Sequence, residues 1–432
     1  MKFILFIMFA ACISSTAVCQ DNIYPAGPNT GIIFIKNATV HTGNGEVIMN
    51  AGIIINKDKI EKIGSDVVPP STNVKTIDAT GKHVYPGLIL ANTNLGLKEI
   101  APIRGSNDFR EIGDMNPNVK SIVAYNTDSK IINTLRSNGI LLAHIVPQGS
   151  LISGSSSVVQ MDGWDWESAT YKGDNGIHFY MPSLLNRTNF NNQGNTPTSD
   201  PVKQGMDRIE MVKAFFSEAR AHYQNTKGEY TNLKFKSVKG LFDRSQRLFI
   251  HCNLVKEMLI AIDFVKEFNF DVTVVGGSES FQIANLLKQN NISVILQQTH
   301  NLPTSEDDDI DQPFKTPSVL QKAGVLFALT DEDGTTTGRN LMFNAGTASS
   351  YGLTKEEALQ SITLNAAKIL GIAGKTGSLE VGKDANLIIS EGDILDMRTS
   401  VVTHAFIQGR ELDLNDKHKQ LYERYKKKYG IK

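Results

Sequence analysis

The sequence predicts an α/β protein, a (β/α)8 barrel with a small β domain built from both ends of the chain. Three observations carry this. Strands and helices alternate from Leu248 to Leu329, short strands cluster at both ends, and a buried strand closes on a polar triplet in Tyr85–Leu97. Alternation at this spacing argues for parallel strands with helices outside. In a barrel, polar groups at the carboxyl end of a strand are where the active site forms.

The chain has 432 residues, so a large domain plus a smaller one is expected. A hydrophobic content of 41% and a charged content of 21% suit a soluble globular protein. The net charge of -1 gives no electrostatic case for nucleic acid or an anionic membrane.

Residues 1–19 read as a cleaved signal peptide. Lys2 precedes an apolar run, Phe3 to Cys12, then small residues lead to Cys19. That run is too short to span a membrane. The expected location is secreted or periplasmic. Lipoprotein anchoring through Cys19 is the lesser alternative, because Thr16-Ala17-Val18 is a poor lipobox. Cleavage leaves Cys252 alone, read as a buried small hydrophobe.

Gly31 to Asp78 holds short strands separated by polar turns, with a hairpin turn at residues 56–59. Leu88 to Leu90 follows as a buried strand entered through Pro86-Gly87, and Asn92 and Asn94 should share a face two residues apart. Lys98 to Val119 reads as a long loop, Thr127 to Ser137 as a helix ended by Asn138-Gly139, and Ile140 to Val146 as a strand. Gln148 to Ser157 reads as a small-residue loop whose N–H groups could approach a polar ligand. The loops 98–119 and 148–175, with Trp164 and Trp166, are expected to shape the pocket, although such aromatics serve equally well as packing.

Asn186 to Pro201 reads as an exposed insertion and Val202 to Tyr223 as a helix. The alternating units then run to Leu329. Thr354 to Leu370 is a further helix, started by Thr354 with Glu356-Glu357 in its first turn. Residues 376–413 return to short strands, and the basic tail from Asn415 reads as a solvated surface helix. The expected layout is 20–85 and 376–413 as one composite β-sandwich, 86–375 as the barrel and 414–432 as the basic C-terminal helix.

Three segments resemble the metal-dependent amidohydrolase superfamily, near its imidazolonepropionase-like and dihydroorotase-like branches. Asp78-Ala-Thr-Gly-Lys82 with Tyr85-Pro-Gly-Leu-Ile89 resembles the family's entry from sandwich to barrel. Residues 351–371 resemble its last barrel helix, and Gly377-Ser-Leu-Glu-Val-Gly-Lys-Asp-Ala-Asn-Leu-Ile-Ile389 its return to the sandwich. The resemblance implies hydrolysis of carbon–nitrogen, non-peptide bonds. A divalent metal, Zn²⁺ by resemblance, activates water and polarises the carbonyl, and a barrel aspartate moves the proton.

The family's first-strand His-x-His pair maps onto Asn92 and Asn94, so both imidazoles are replaced. Its fifth-strand histidine maps onto His251, implied as ligand or general base. The sixth-strand histidine would fall in residues 275–279, where there is none. Its eighth-strand aspartate maps onto Asp331 or Asp333; Asp331, first after the strand, is preferred as proton shuttle and metal ligand. His144 and His300 follow other strands and are candidate substrate-binding groups with Asn92 and Asn94. The plainer alternative for these two histidines is a packed or surface role.

Asparagine offers a neutral carbonyl oxygen, a weaker ligand for Zn²⁺ than imidazole or carboxylate. Two readings therefore stand: an amidohydrolase with a remodelled site acting on a small molecule, and an inactive binding or partner subunit of an active amidohydrolase. A homodimer is the base-rate expectation.

Overall fold

The structure, a computed structural model, describes residues 24–70, 74–100, 102–149, 151–185, 200–224, 232–304, 307–332 and 337–431. The signal segment with Cys19, Asp333, and residues 186–199 of the expected insertion lie outside the described residues.

The chain opens with β1 (Ile32–His41), β2 (Val47–Asn56), β3 (Lys59–Gly64), β4 (Lys75–Asp78) and β5 (His83–Pro86). Next come β6 (Leu88–Thr93), β7 (Ile140–Ile145), β8 (Ile152–Gln160), β9 (Thr170–Tyr180), β10 (Arg247–Cys252), β11 (Val272–Gly276), β12 (Ser293–Leu296) and β13 (Phe327–Leu329). It closes with β14 (Leu387–Ser390), β15 (Val402–Ile407) and β16 (Arg410–Glu411).

Two eight-stranded sheets result. The first runs β16-β15-β14-β5-β1-β2-β3, with β4 on β1, so both chain ends share one hydrogen-bonded path. β14 lies antiparallel to β5 and joins the halves. Alternating residues of these strands, including Ile33, Ile35, Ile53, Ile55, Leu387, Ile389 and Phe406, bury one face as a separate core. Gly409 holds a turn of this unit at φ +70, and a Cβ there would lie 1.8 Å from the Lys57 carbonyl oxygen. Gly409→Ala should therefore cost about 1–3 kcal/mol, read as a lowered thermal midpoint; an unchanged midpoint would refute the close approach.

The second sheet runs from β6 to β13 in sequence order. Its pairs are parallel except that β8 lies antiparallel to both β7 and β9. It nearly closes on itself. Thr330, just after β13, joins β6 through its hydroxyl, which accepts from the Asn92 N–H (3.1 Å) and bonds the Asn92 carbonyl (3.2 Å). At the start of β6 the Ile89 N–H donates to Ile362 O. The inward residues Ile89, Ala91, Leu142, Val158, Phe249, Val275, Ile295 and Ala328 pack on Ala366, Ala367, Ile369 and Leu370, which plug that end. Outward residues such as Leu88, Leu90, Leu248, Ile250 and Val274 join the larger core beneath the helices.

Three expectations change. The small-residue stretch 148–157 is not one loop, because its second half belongs to β8, where Ser153, Ser155, Ser156 and Ser157 are buried. In that half the backbone is taken up by the ladders to β7 and β9, so β8 offers no open cradle of N–H groups. The low bulk that reads as a loop is what fits a strand beside interior rings. The expected helix 354–370 breaks at Thr363 into Lys355–Ser361 and Leu364–Ile369, the second being the barrel plug. Finally, β7 and β8 pair Leu142 with Gln160 and Ile145 with Ser157. The tryptophan turn after Gln160 therefore lies at the end away from the mouth, and Trp164 and Trp166 do not line it.

Candidate active site

Inward-facing positions at the carboxyl half of the barrel carry rings rather than aliphatics. Strand alternation puts His144 on β7, Ser156 on β8, His178 and Tyr180 on β9, and Phe249 and His251 on β10 toward the interior. The β9–β10 register sets His178 beside Phe249 and Tyr180 beside His251. The rings then stack: His178 on Phe249 at 4.8 Å and 6°, Tyr180 on His251 at 3.9 Å and 13°. His178 Nδ1 and His251 Nε2 meet at 2.8 Å. His144 Nδ1 lies 3.0 Å from Ala91 O, and its Nε2 lies 2.7 Å from Ser156 Oγ and 3.3 Å from Asn175 Nδ2.

These contacts settle protonation. Ala91 O accepts only, so His144 carries its proton on Nδ1 and accepts at Nε2. One proton lies between His178 and His251. His178 Nε2 is buried without a partner. A buried unpaired donor costs more than an unpaired acceptor lone pair, so we assign the donating N–H to His178 Nδ1. His251 then accepts at Nε2 and keeps its N–H on Nδ1. Burial disfavours the imidazolium, holding His144 and His251 down at about 3 and His178 well below its ordinary value. All three rings are neutral at pH 7.

The mouth itself is polar. Asn92 and Asn94 are buried, and the Oδ1 of each has no partner. Asp331 accepts from the Thr337 hydroxyl at 2.6 Å and from Asn344 Nδ2 at 3.4 Å. Glu332 accepts from Gln148 Nε2 (3.3 Å) and Gln297 Nε2 (3.0 Å), tying the ends of β7, β12 and β13 together. Tyr180 Oη donates to Pro147 O. A continuous set of contacts thus runs from His178 through His251, Tyr180 and the 147–148 turn to Glu332, Asp331, Thr330 and Asn92.

Of the sequence candidates, His251, Asp331 and Asn92 lie on this network, and His144 sits deeper, sealed from solvent at 0% exposure. His300 stays outside the barrel interior: it is exposed, with Nε2 on the Thr347 hydroxyl, and its backbone N–H donates to Asn344 Oδ1, the side chain that also holds Asp331. His178, Tyr180 and Glu332 escaped the sequence reading. The alternation in GIHFY, Gly176 to Tyr180, was the available signal, since it puts His178 and Tyr180 on one face.

A zinc ion of the family's kind does not fit this donor set. The first-strand donors are amide oxygens, His178 and His251 spend ring nitrogens on each other, and both nitrogens of His144 are engaged. Among the described residues no group of three or more His, Cys, Asp or Glu is arranged to hold an ion.

A sequence model of the amidohydrolase family matches residues 209–412. The amidohydrolase tasK of Hapsidospora irregularis is 19% identical over 385 residues, 83% of this chain but 39% of that protein. The imidazolonepropionase of Fusobacterium nucleatum is 23% identical over 370 residues, 80% of this chain and 86% of that one. That of Shewanella oneidensis is 55% identical over a short segment of 49 residues, 12% of its length. Among solved structures, an amidohydrolase from Thermotoga maritima superposes with a TM-score of 0.76 at 25% identity, covering 88% of this chain and 99% of that one.

Proposed function

Because the chain belongs to the amidohydrolase superfamily, on its imidazolonepropionase-like side, we propose that it is a hydrolase of non-peptide carbon–nitrogen bonds in a small molecule. The carrying observation is the group of polar side chains gathered at the barrel mouth: His251 bonded to His178 and stacked on Tyr180, Glu332 held by Gln148 and Gln297, Asp331 held by Thr337, and Thr330 bonded to the Asn92 backbone. In this reading the side chains of Asn92 and Asn94 hold the amide of the substrate. His251, oriented by His178, donates from Nδ1 to its carbonyl. Asp331 takes a proton from the attacking water and returns it to the leaving nitrogen. Thr337 and Asn344 hold that carboxylate in place.

The same reading takes residues 20–85 and 376–413 as a composite sandwich around a barrel of residues 86–375, and residues 1–19 as a signal peptide for a secreted or periplasmic protein. A homodimer, or pairing with a homologous amidohydrolase, completes it. Asparagine at 92 and 94, where the resemblance implies imidazoles, favours one second reading, a subunit that binds without turnover.

Ring-amide and N-acyl substrates, assayed with and without a chelator, test this. Hydrolysis that survives chelation and falls by about 10²-fold or more in Asp331→Asn is the expected result. Saturable binding with no turnover would install the second reading. Stoichiometric metal whose removal ends activity would overturn the metal-independent site.

A further inference from the structure

A second cavity lies at the opposite end of the barrel from the mouth, between the helix Lys130–Ser137 and the turn after β8. Its floor is Arg136, 3% exposed. This guanidinium donates through Nη1 to Asp162 (2.7 Å) and through Nη2 to Asn133 (3.0 Å). Its Nε–H is buried with no acceptor. Asp162 does not neutralise it alone, because its other oxygen accepts from Arg410 at 2.7 Å. Two guanidinium groups thus share one carboxylate in contact, and Asp413 acts on Arg136 only through space. A buried donor without an acceptor, on an under-neutralised cation, calls for an anion or a polar guest.

The walls say what else the guest carries. Tyr24 and Trp164 border the same cavity with ring centroids 6.1 Å apart, and Trp164 is 67% exposed. Large exposed rings beside a cationic floor suit a planar apolar group joined to an anion. Asp128 on the rim disfavours a second negative charge on the guest. We propose that this cavity is a binding site for an aromatic monocarboxylate, its carboxylate toward Arg136 and its ring against Trp164 and Tyr24. The site is separate from the barrel mouth and independent of the reading given for it.

The chain's two tryptophans, Trp164 and Trp166, both lie in this turn, so intrinsic fluorescence reports on it directly. Titration of the whole mature protein with benzoate should change that fluorescence saturably. Methyl benzoate, acetate and terephthalate should bind at least about tenfold more weakly, lacking respectively the charge, the ring and the single charge. Arg136→Lys should weaken benzoate about tenfold or more. Should that variant misfold, Trp164→Ala on a folded protein, followed by calorimetry, tests the ring contact, while His251→Phe should leave binding unchanged. Absence of saturation, equal binding of methyl benzoate or acetate, or full affinity in Trp164→Ala would overturn the proposal.

Discussion

Asp162→Ala is expected to lower the free energy of unfolding by about 3–5 kcal/mol. Asp162 is 4% exposed and accepts from Arg136, Arg410 and the Ala26 N–H. Arg410 also donates to Ala26 O and Gln160 Oε1. One carboxylate therefore gathers the start of the described chain, the helix before β7, the end of β8 and strand β16. Removing it leaves two guanidinium groups facing each other in a site with little water, which costs far more than the pair contributes when intact. Urea unfolding followed by circular dichroism measures the effect. A loss below about 1 kcal/mol, the range of an exposed pair, would show that the triad is not what joins these elements. Asp162→Asn should be milder, since an amide oxygen can still accept from one arginine.

Acid should destabilise the protein steeply below about pH 6.5, the ordinary histidine value. The interior rings drive this. His144 and His251 are held at about 3 in the folded chain, and His178 is lowered in the same direction. Between about pH 6.5 and 3 the unfolded chain binds protons that the folded chain refuses, so stability falls as pH falls. It is unaffected by these groups above pH 7. Each such histidine contributes about 1.4 kcal/mol per pH unit in that window. Urea midpoints should therefore be flat from pH 7 to 8 and drop below. In His144→Gln the slope between pH 6 and 5 should be shallower by about one histidine's share, whatever the variant's absolute stability. An unchanged slope would mean that His144 is protonated in the folded state.

Much of the architecture was legible because it is written in local periodicity. The strand ending in Asn92-Thr93-Asn94, the alternation from Leu248 to Leu329 and the turn residues of the small sheet each declare themselves within a few positions. His251 was found because the family resemblance places a histidine at the end of a strand that the sequence itself marks as short and apolar. β8 was misread for an equally physical reason. ISGSSSVVQ has the composition of a loop, and only its two neighbouring strands and the interior ring of His144 explain why small side chains belong there.

By itself the sequence determined the alternation of strands and helices from β10 to β13, the joining of the two chain ends, the family resemblance and the asparagines at 92 and 94 where that resemblance implies histidines. All of these are properties of single segments. The tertiary structure alone decided which groups act together. His178 reaches His251 across 73 positions, and Asp162 reaches Arg410 across 248. The β9–β10 register makes the first meeting, and a shift of one residue would turn either ring to the other face; the second is made where the turn after β8 reaches β16 of the other sheet. A local pattern says that a ring points inward; only the assembled sheet says which nitrogen it will face.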